Sequence, residues 1–248
     1  MSAFWTPEKI ENYKRASEYT AFHKKLSVFI EPYLDEQWTL ADIGCGPGLI
    51  DFWLAPMVAG IDAIDNDGAA IADLTARLDE TFLTNRMAAE KIRPRLASLE
   101  ELKGESWDVV MMSFFGLDQA AIEAVLQLAR RRVFIFMHGR PDQAGPLAAG
   151  DDGDKFSAAE LEAFLTERGV AFKKSVMEMQ FGQPFRTLED INSFIGAEGA
   201  DDDETVKRIT DIEERIIDTN RFDYPYYLPK SISVALFIIQ VGHGLKTQ

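Results

Sequence analysis

Two stretches of this chain, WDVVMMSFF at 107–115 and RVFIFM at 132–137, are apolar with almost no polar alternation. A strand of that kind must be covered on both faces, and helices alone do this for a parallel sheet. The surrounding sequence supplies the helices. Strand patterns at 39–44 (TLADIG), 58–65 (VAGIDAID) and 92–97 (IRPRLA) alternate with helical patterns at 67–90 and 118–131. Ser157 and Glu160 form a capping box that opens a further helix ending at Gly169. The repeated order strand, helix, strand predicts an α/β protein with a mostly parallel sheet between helical layers. Pro94 marks the strand at 92–97 as an edge or a bulge.

The flanks differ. Residues 4–34 are predicted helical, with Thr6 as cap and Pro7 at the first helical position. Strands are expected at 170–181 and 231–241, with about fifty residues between them. Those residues carry two apolar helical stripes, Leu188, Ile191, Phe194, Ile195 and then Val206, Ile209, Ile212, Ile216, joined by GAEGADDDE. A free linker would carry no such stripes. The expected organisation of the 248 residues is therefore one domain: an N-terminal helical lid over 1–36, a core over 37–182 and 231–248, and a helical cap inserted at 183–230.

Charge and cysteine content exclude several functions. The net charge of −15 gives no general attraction to nucleic acid or anionic membrane. The one dense basic run, Arg130–Arg132, falls where a helix is expected to end and is assigned to the helix dipole. A single cysteine, Cys45, rules out an internal disulfide and a cysteine zinc cluster, and agrees with a reducing cytosol. The N-terminus lacks the pattern of a secretory signal, and the longest apolar run, VALFII at 234–239, is too short to span a bilayer. A cytoplasmic protein, monomer or homodimer, with no metal is expected. DDGD at 151–154 is taken as a solvated turn, because it lacks the glutamate of a calcium loop.

The chemistry concentrates at the end of the first strand, LADIGCGPG, with glycines at 44, 46 and 48. In a parallel sheet, ligands bind beyond the carboxyl ends of the strands. Gly44 suits a tight turn, while Gly46 and Gly48 let a ligand approach bare backbone. Leu49 stands where a dinucleotide loop needs its third glycine, and no lysine follows as in a P-loop. The second strand ends in AIDND, so Asp65 is placed to accept both hydroxyls of a ribose or to cap the next helix. Asp62, taken to lie on the same strand face, is its rival.

ADIGCGPG, AIDNDGAAI and SWDVVMMSFF together resemble the S-adenosylmethionine-dependent methyltransferases of the Rossmann-like class, class I, over residues 39–138 and more loosely to the last strand. The resemblance implies a seven-stranded sheet with helices on both faces and an antiparallel final strand. It implies S-adenosyl-L-methionine as cofactor and S-adenosyl-L-homocysteine as product. Asp42, Gly44, Cys45, Gly46 and Gly48 would receive the amino-acid part. Asp65 would hold the ribose, Asn66 would lie near the adenine, and Ser98 and Leu99 would contact it where the family often has an aspartate. Ser113 and Phe114 would border the methyl group, with Phe115 facing the acceptor.

The acceptor follows by exclusion. SFFG replaces the Asn/Asp-Pro-Pro-Tyr/Phe motif of amino-methylating enzymes, Ser113 replaces the metal-binding aspartate of the catechol type, and Cys45 sits in the glycine loop. A small-molecule oxygen or nitrogen nucleophile is expected. Protein side-chain methylation and a non-catalytic cofactor-binding subunit are the alternatives. His138 ends the fifth strand as a possible general base, and Arg140 is placed to grip an acidic substrate. The cap region is aromatic, with Phe181, Phe185, Phe222, Tyr224, Tyr226 and Tyr227, and this density suggests pocket lining, above all by Tyr224, Tyr226 and Tyr227. Phe4, Trp5, Tyr13 and Tyr19 offer a second wall, and His23 and His243 are assigned structural or surface roles.

Overall fold

The computed structural model describes residues 4–82, 84–140, 156–196, 210 and 212–241. The turn at 151–154, the join after Gly196, Val206, Ile209 and His243 lie outside them.

Seven strands form one sheet in the order β3-β2-β1-β4-β5-β10-β6. They are β1 (Thr39–Ile43), β2 (Gly60–Asp65), β3 (Ile92–Leu96), β4 (Trp107–Ser113), β5 (Ala129–His138), β6 (Phe172–Gln180) and β10 (Ser231–Gln240). The first five are parallel; β10 runs antiparallel between β5 and β6. The apolar strands explain this arrangement. Along β4, Val109 and Met111 enter one buried core, while Val110 and Met112 enter the core on the other face. Pro94 falls on the edge strand β3, as its missing N–H requires.

The helices that connect the parallel strands are α3 (Asp51–Leu54), α4 (Gly68–Thr81), α5 (Arg86–Lys91), α6 (Gln119–Leu128) and α7 (Ala158–Glu167). Ser157 and Glu160 make both halves of the expected capping box. The basic run does not end a helix. Helix α6 stops at Leu128, and Arg130 and Arg131 lie on β5, where both pair with Asp108. Burial of Asp108 is outweighed by these guanidinium groups, which hold its carboxyl well below the usual range.

The N-terminal segment expected to form a lid is two helices rather than one. α1 (Pro7–Thr20) is capped by Thr6, and α2 (Phe22–Ile30) begins after Ala21, whose φ of 53° turns the chain. The insertion at 183–230 also departs from the helical expectation. It contains a small antiparallel sheet of β7 (Gln183–Phe185), β9 (Tyr226–Leu228) and β8 (Ile217–Asp218), with α8 (Leu188–Gly196) packed on it through Ile191 and Ile195. The stripe in α8 is real; of the second stripe Ile212 is helical and Ile216 is not, both pack on the same small core, and the chain turns into β8 at Ile217. Among the described residues no helix is long and apolar enough to cross a membrane.

Candidate functional site

A cavity of about 500 Å³ opens at the carboxyl edge of the sheet, under α1 and α2. Gly44, Cys45 and Gly46 form its floor, whereas Gly48 is outside the wall, and a Cβ there would meet Leu74 at 2.8 Å and the Asp51 carboxylate at 3.1 Å. Gly44, Gly46 and Gly48 have φ of 73°, 53° and 65°, which side-chain-bearing residues rarely adopt. A Cβ on Gly44 would stand 2.3 Å from the Phe115 ring, and one on Gly46 2.8 Å from the indole of Trp5. The loop is laced to β2: Gly44 and Cys45 donate to the Ile64 carbonyl, and Gly46 donates to the Asp65 carboxylate at 2.7 Å.

Asp65 faces the cavity and Asp62 does not. Their separation of three residues puts them on opposite strand faces, contrary to the expectation of a shared face. Asp62 instead accepts from Arg93 and from the Trp107 indole. The helix-cap alternative for Asp65 also falls away. Asp67 caps α4 through Ala69 N–H and takes the Trp5 N–H at 2.9 Å, tying the lid to the cavity rim. Asp65 accepts two backbone N–H groups, from Gly46 and Asp67, and a carboxylate has about four acceptor positions. Burial raises its pKa against those two hydrogen bonds.

Asp42, at the tip of β1, is wholly buried, and neither oxygen has a donor. The same is true of Asp51, from the first turn of α3. The two carboxyl groups are close enough to share a proton; burial raises both, the charge of Asp51 raises Asp42 further, and the hydrogen bond with Asp42 and the charge of Arg77 hold Asp51 to about 7. Asp51 carries no motif in the sequence, and only its place three residues after Gly48 signals it. A buried carboxyl pair that shares one proton still has acceptor positions open on its oxygens. The ammonium of an amino-acid ligand supplies both charge and donors. Burial pushes the Cys45 thiol up, so it stays unionised in this acidic loop.

Asn66, Ser113, Phe114, Phe115 and His138 join the cavity wall, as expected of them. Ser113 Oγ and His138 Nδ1 are buried without partners. Phe114 has φ of 54°, a strained conformation for an aromatic residue, held between Phe22 and the His138 ring. Burial, and then the charge of Lys230, lowers the His138 pKa, so the imidazole is neutral at pH 7.

Other candidates stand apart from the cavity. Ser98 and Glu101 build a capping box on a short 3₁₀ turn, and Leu99 packs against the second core. Arg140 pairs with Glu178 at 2.9 Å on the exposed surface. Tyr227 stacks on Tyr19 of the lid, Tyr224 meets the same ring edge-on, and Tyr226 packs on the small core of the insertion. These tyrosines join cap to lid instead of lining the pocket.

Their place is taken by Phe22, His23, Lys230 and Ile232, together with the anticipated Phe4, Trp5, Tyr13 and Phe181. His23 is not a surface residue. Its neutral ring hydrogen-bonds Ser17 Oγ at 2.6 Å through Nδ1 and Tyr13 Oη at 2.9 Å through Nε2, one nitrogen donating and the other accepting, and burial lowers its pKa to about 3. No short motif marks these residues; they meet only through the fold.

The fold and the loop geometry define the class: the chain has the Rossmann-like fold of class I S-adenosylmethionine-dependent methyltransferases. No protein-family model and no curated protein matches the sequence. Solved structures do. The YcgJ protein of Bacillus subtilis is 16% identical, with a TM-score of 0.58 over 90% of this chain and 100% of its own. The magnesium protoporphyrin IX methyltransferase of Synechocystis, solved with bound SAH, is 14% identical, with a TM-score of 0.54 over 92% of this chain and 85% of that one. A precorrin-6y C5,15-methyltransferase from Geobacter metallireducens is 11% identical, with a TM-score of 0.50 over 86% of each chain.

Proposed function

We propose that the protein transfers a methyl group from S-adenosyl-L-methionine to an oxygen or nitrogen of a small molecule by direct in-line displacement. One observation carries the reading. The unpartnered Asp42 carboxyl, the positive-φ glycine loop and Asp65 stand on adjacent strand ends and open into one cavity. These residues fit the cofactor. Asp42 would take its ammonium, the Gly44–Gly48 backbone its amino-acid stem, Asp65 the ribose hydroxyls and Asn66 the adenine side. When bound, the cofactor supplies a methyl group already activated by a sulfonium centre.

The protein's part is then to orient the nucleophile and exclude water, a contribution on the order of 7–11 kcal/mol when alignment is good. Trp5, Phe22, Phe114 and Phe181 provide the dry wall. Support for a small acceptor comes from that enclosure under the lid, and from the excess of acid over base in the chain. The neutral His138 in the cavity wall would receive a proton from the acceptor.

The test is calorimetric titration of the purified protein with S-adenosylmethionine and S-adenosylhomocysteine. Binding of both is expected. If neither binds, the proposal is wrong.

A further inference from the structure

Behind the cavity wall stands a second carboxyl. Asp42 is part of that wall; Asp51, from the first turn of α3, is not. The tight space at Gly48 lies against Asp51 Oδ2 and Leu74, so this glycine makes room for the carboxyl rather than for a ligand. Both carboxyls are fully buried, and none of their four oxygens has a hydrogen-bond donor. Two neighbouring carboxylates in such a position repel each other and lack the hydrogen bonds that would replace water. One proton between them removes a charge and supplies a donor, so the two titrate as a unit.

The groups around the pair keep that proton in place. Asp65, at the end of β2, adds its negative charge to Asp42. On the other flank of β1, β4 sets Met111 opposite Asp42 and ends in Ser113, both uncharged. Helix α1 contributes the Tyr13 phenol, which burial and then the charge of Asp42 hold unionised. Helix α2 contributes His23, kept neutral by burial, while its Lys24 lies over the exposed ring of Trp53. The Cys45 thiol of the loop is unionised as well. Arg77 of α4 acts on Asp51 through its charge but donates to neither carboxyl. It lies over the Phe52 ring, 4.6 Å from the centroid, and is drawn to Asp73 at 4.0 Å and to Glu18 and Glu80. Asp73 also pairs with Lys14 at 3.0 Å.

Resting on the cofactor reading above, we propose that Asp42 and Asp51 share one proton in the cofactor-free protein and that the ammonium of the cofactor displaces it. Asp51 is then a positioning residue: it acts on the ligand through Asp42. The ammonium brings Asp42 a positive charge and N–H donors. The carboxyl O–H bond breaks, its electron pair stays on oxygen, and the proton passes to water. One positive charge replaces another, so the ionised pair is balanced by the ammonium and by Arg77. A ligand without an ammonium leaves the proton where it is. Because the free protein holds the proton and the complex does not, affinity rises with pH while the free pair is protonated, and levels off above that range. Below about pH 7 the ligand's α-amine stays protonated, so its own titration does not enter.

The purified protein is titrated calorimetrically with S-adenosylhomocysteine in buffers of different ionisation enthalpy, which counts the protons released per ligand. Failure to bind removes the cofactor reading and this proposal with it. When it binds, about 0.5–1 proton should be released near pH 6, and affinity should rise by up to about tenfold per pH unit between about pH 5.5 and 7. The probe 5′-deoxy-5′-methylthioadenosine, the nucleoside without the amino-acid tail, should release none. Asp51→Asn gives Asp42 an N–H donor in place of the proton, so it should lose most of the release and flatten the pH dependence, with far-ultraviolet dichroism confirming its fold. Protons from His138 or Asp65 would persist in this variant, so its difference from the parent isolates the pair. A merely structural Asp51 would alter affinity equally at every pH. The proposal is overturned if S-adenosylhomocysteine binds with no proton release, or if the tail-less nucleoside releases as much. It is equally overturned if Asp51→Asn releases as many protons as the parent. Should that variant fail to fold, the two proton counts on the parent protein decide alone.

Discussion

The two halves of the cavity are built in opposite ways. The acidic half comes from one short stretch, residues 42–68, folded as strand, loop, strand and helix start, and its polar groups are bound to backbone or left unpaired. The aromatic half is assembled from Trp5, Tyr13, Phe22, Phe114, His138, Phe181 and Lys230, on six separate segments, and holds together by ring contacts. A contiguous half can be preserved as a motif. A dispersed half can change its acceptor one residue at a time without disturbing the first.

The contrast predicts that the aromatic half is also the structurally costly one. Phe22 is 1% exposed and touches the rings of His23, Phe114 and Phe181. Phe22→Ala should lower stability by about 3–5 kcal/mol, the usual loss for a buried phenylalanine. Urea unfolding measures it. A loss below about 1 kcal/mol would mean that the wall is loosely packed and that the halves do not differ in this way.

In the acidic half the same treatment should strike binding instead. Asp65→Ala removes an acceptor for Gly46 N–H and the expected ribose contact. Affinity for S-adenosylhomocysteine should fall by roughly 2–4 kcal/mol, the scale of lost charge-assisted hydrogen bonds. Undiminished affinity would remove Asp65 from the site.

The shared proton of Asp42 and Asp51 makes a smaller effect that depends on pH. Both carboxyls are raised in the folded state, Asp51 to about 7. Such groups favour folding fully below their unfolded pKa, near 4, and that contribution is lost as pH rises toward 7. His23 works against this in the whole protein, because its pKa is lowered to about 3 and it favours folding increasingly as pH rises toward 6.5. The variant Asp51→Asn isolates the carboxyls. Its stability relative to the parent should grow between pH 5 and 8, at no more than about 1.4 kcal/mol per pH unit. An equal difference at both pH values would show that no proton is shared.

The same division explains what the sequence disclosed. The strands and their mostly parallel arrangement follow from apolar runs and local punctuation, and the loop acids from their distance to the glycines, while the strand order emerges only in the structure. Asp51 escaped because a lone aspartate in a first helical turn reads as a dipole partner; only burial beside Asp42 gives it another meaning. The cap tyrosines misled for the reverse reason. Aromatic density in YPYY points to an apolar partner but does not say which one, and here it is Tyr19 of α1. The strands of the insertion escaped because β7 and β9 have three residues each and β8 two, too short to show a period.

Arg140 gives the smallest effect and separates sequence proximity from spatial membership. It lies two residues after His138, yet its guanidinium is paired with Glu178 across exposed surface, and it is absent from the cavity wall. An exposed pair of this kind contributes about 0–1 kcal/mol. Arg140→Ala should therefore leave affinity for S-adenosylhomocysteine, and for any acidic acceptor, within about twofold of the parent, and change stability by less than about 0.5 kcal/mol. If Arg140→Ala instead abolishes S-adenosylhomocysteine binding, the site extends onto the exposed surface, and the division into a local acidic half and a dispersed aromatic one must be redrawn.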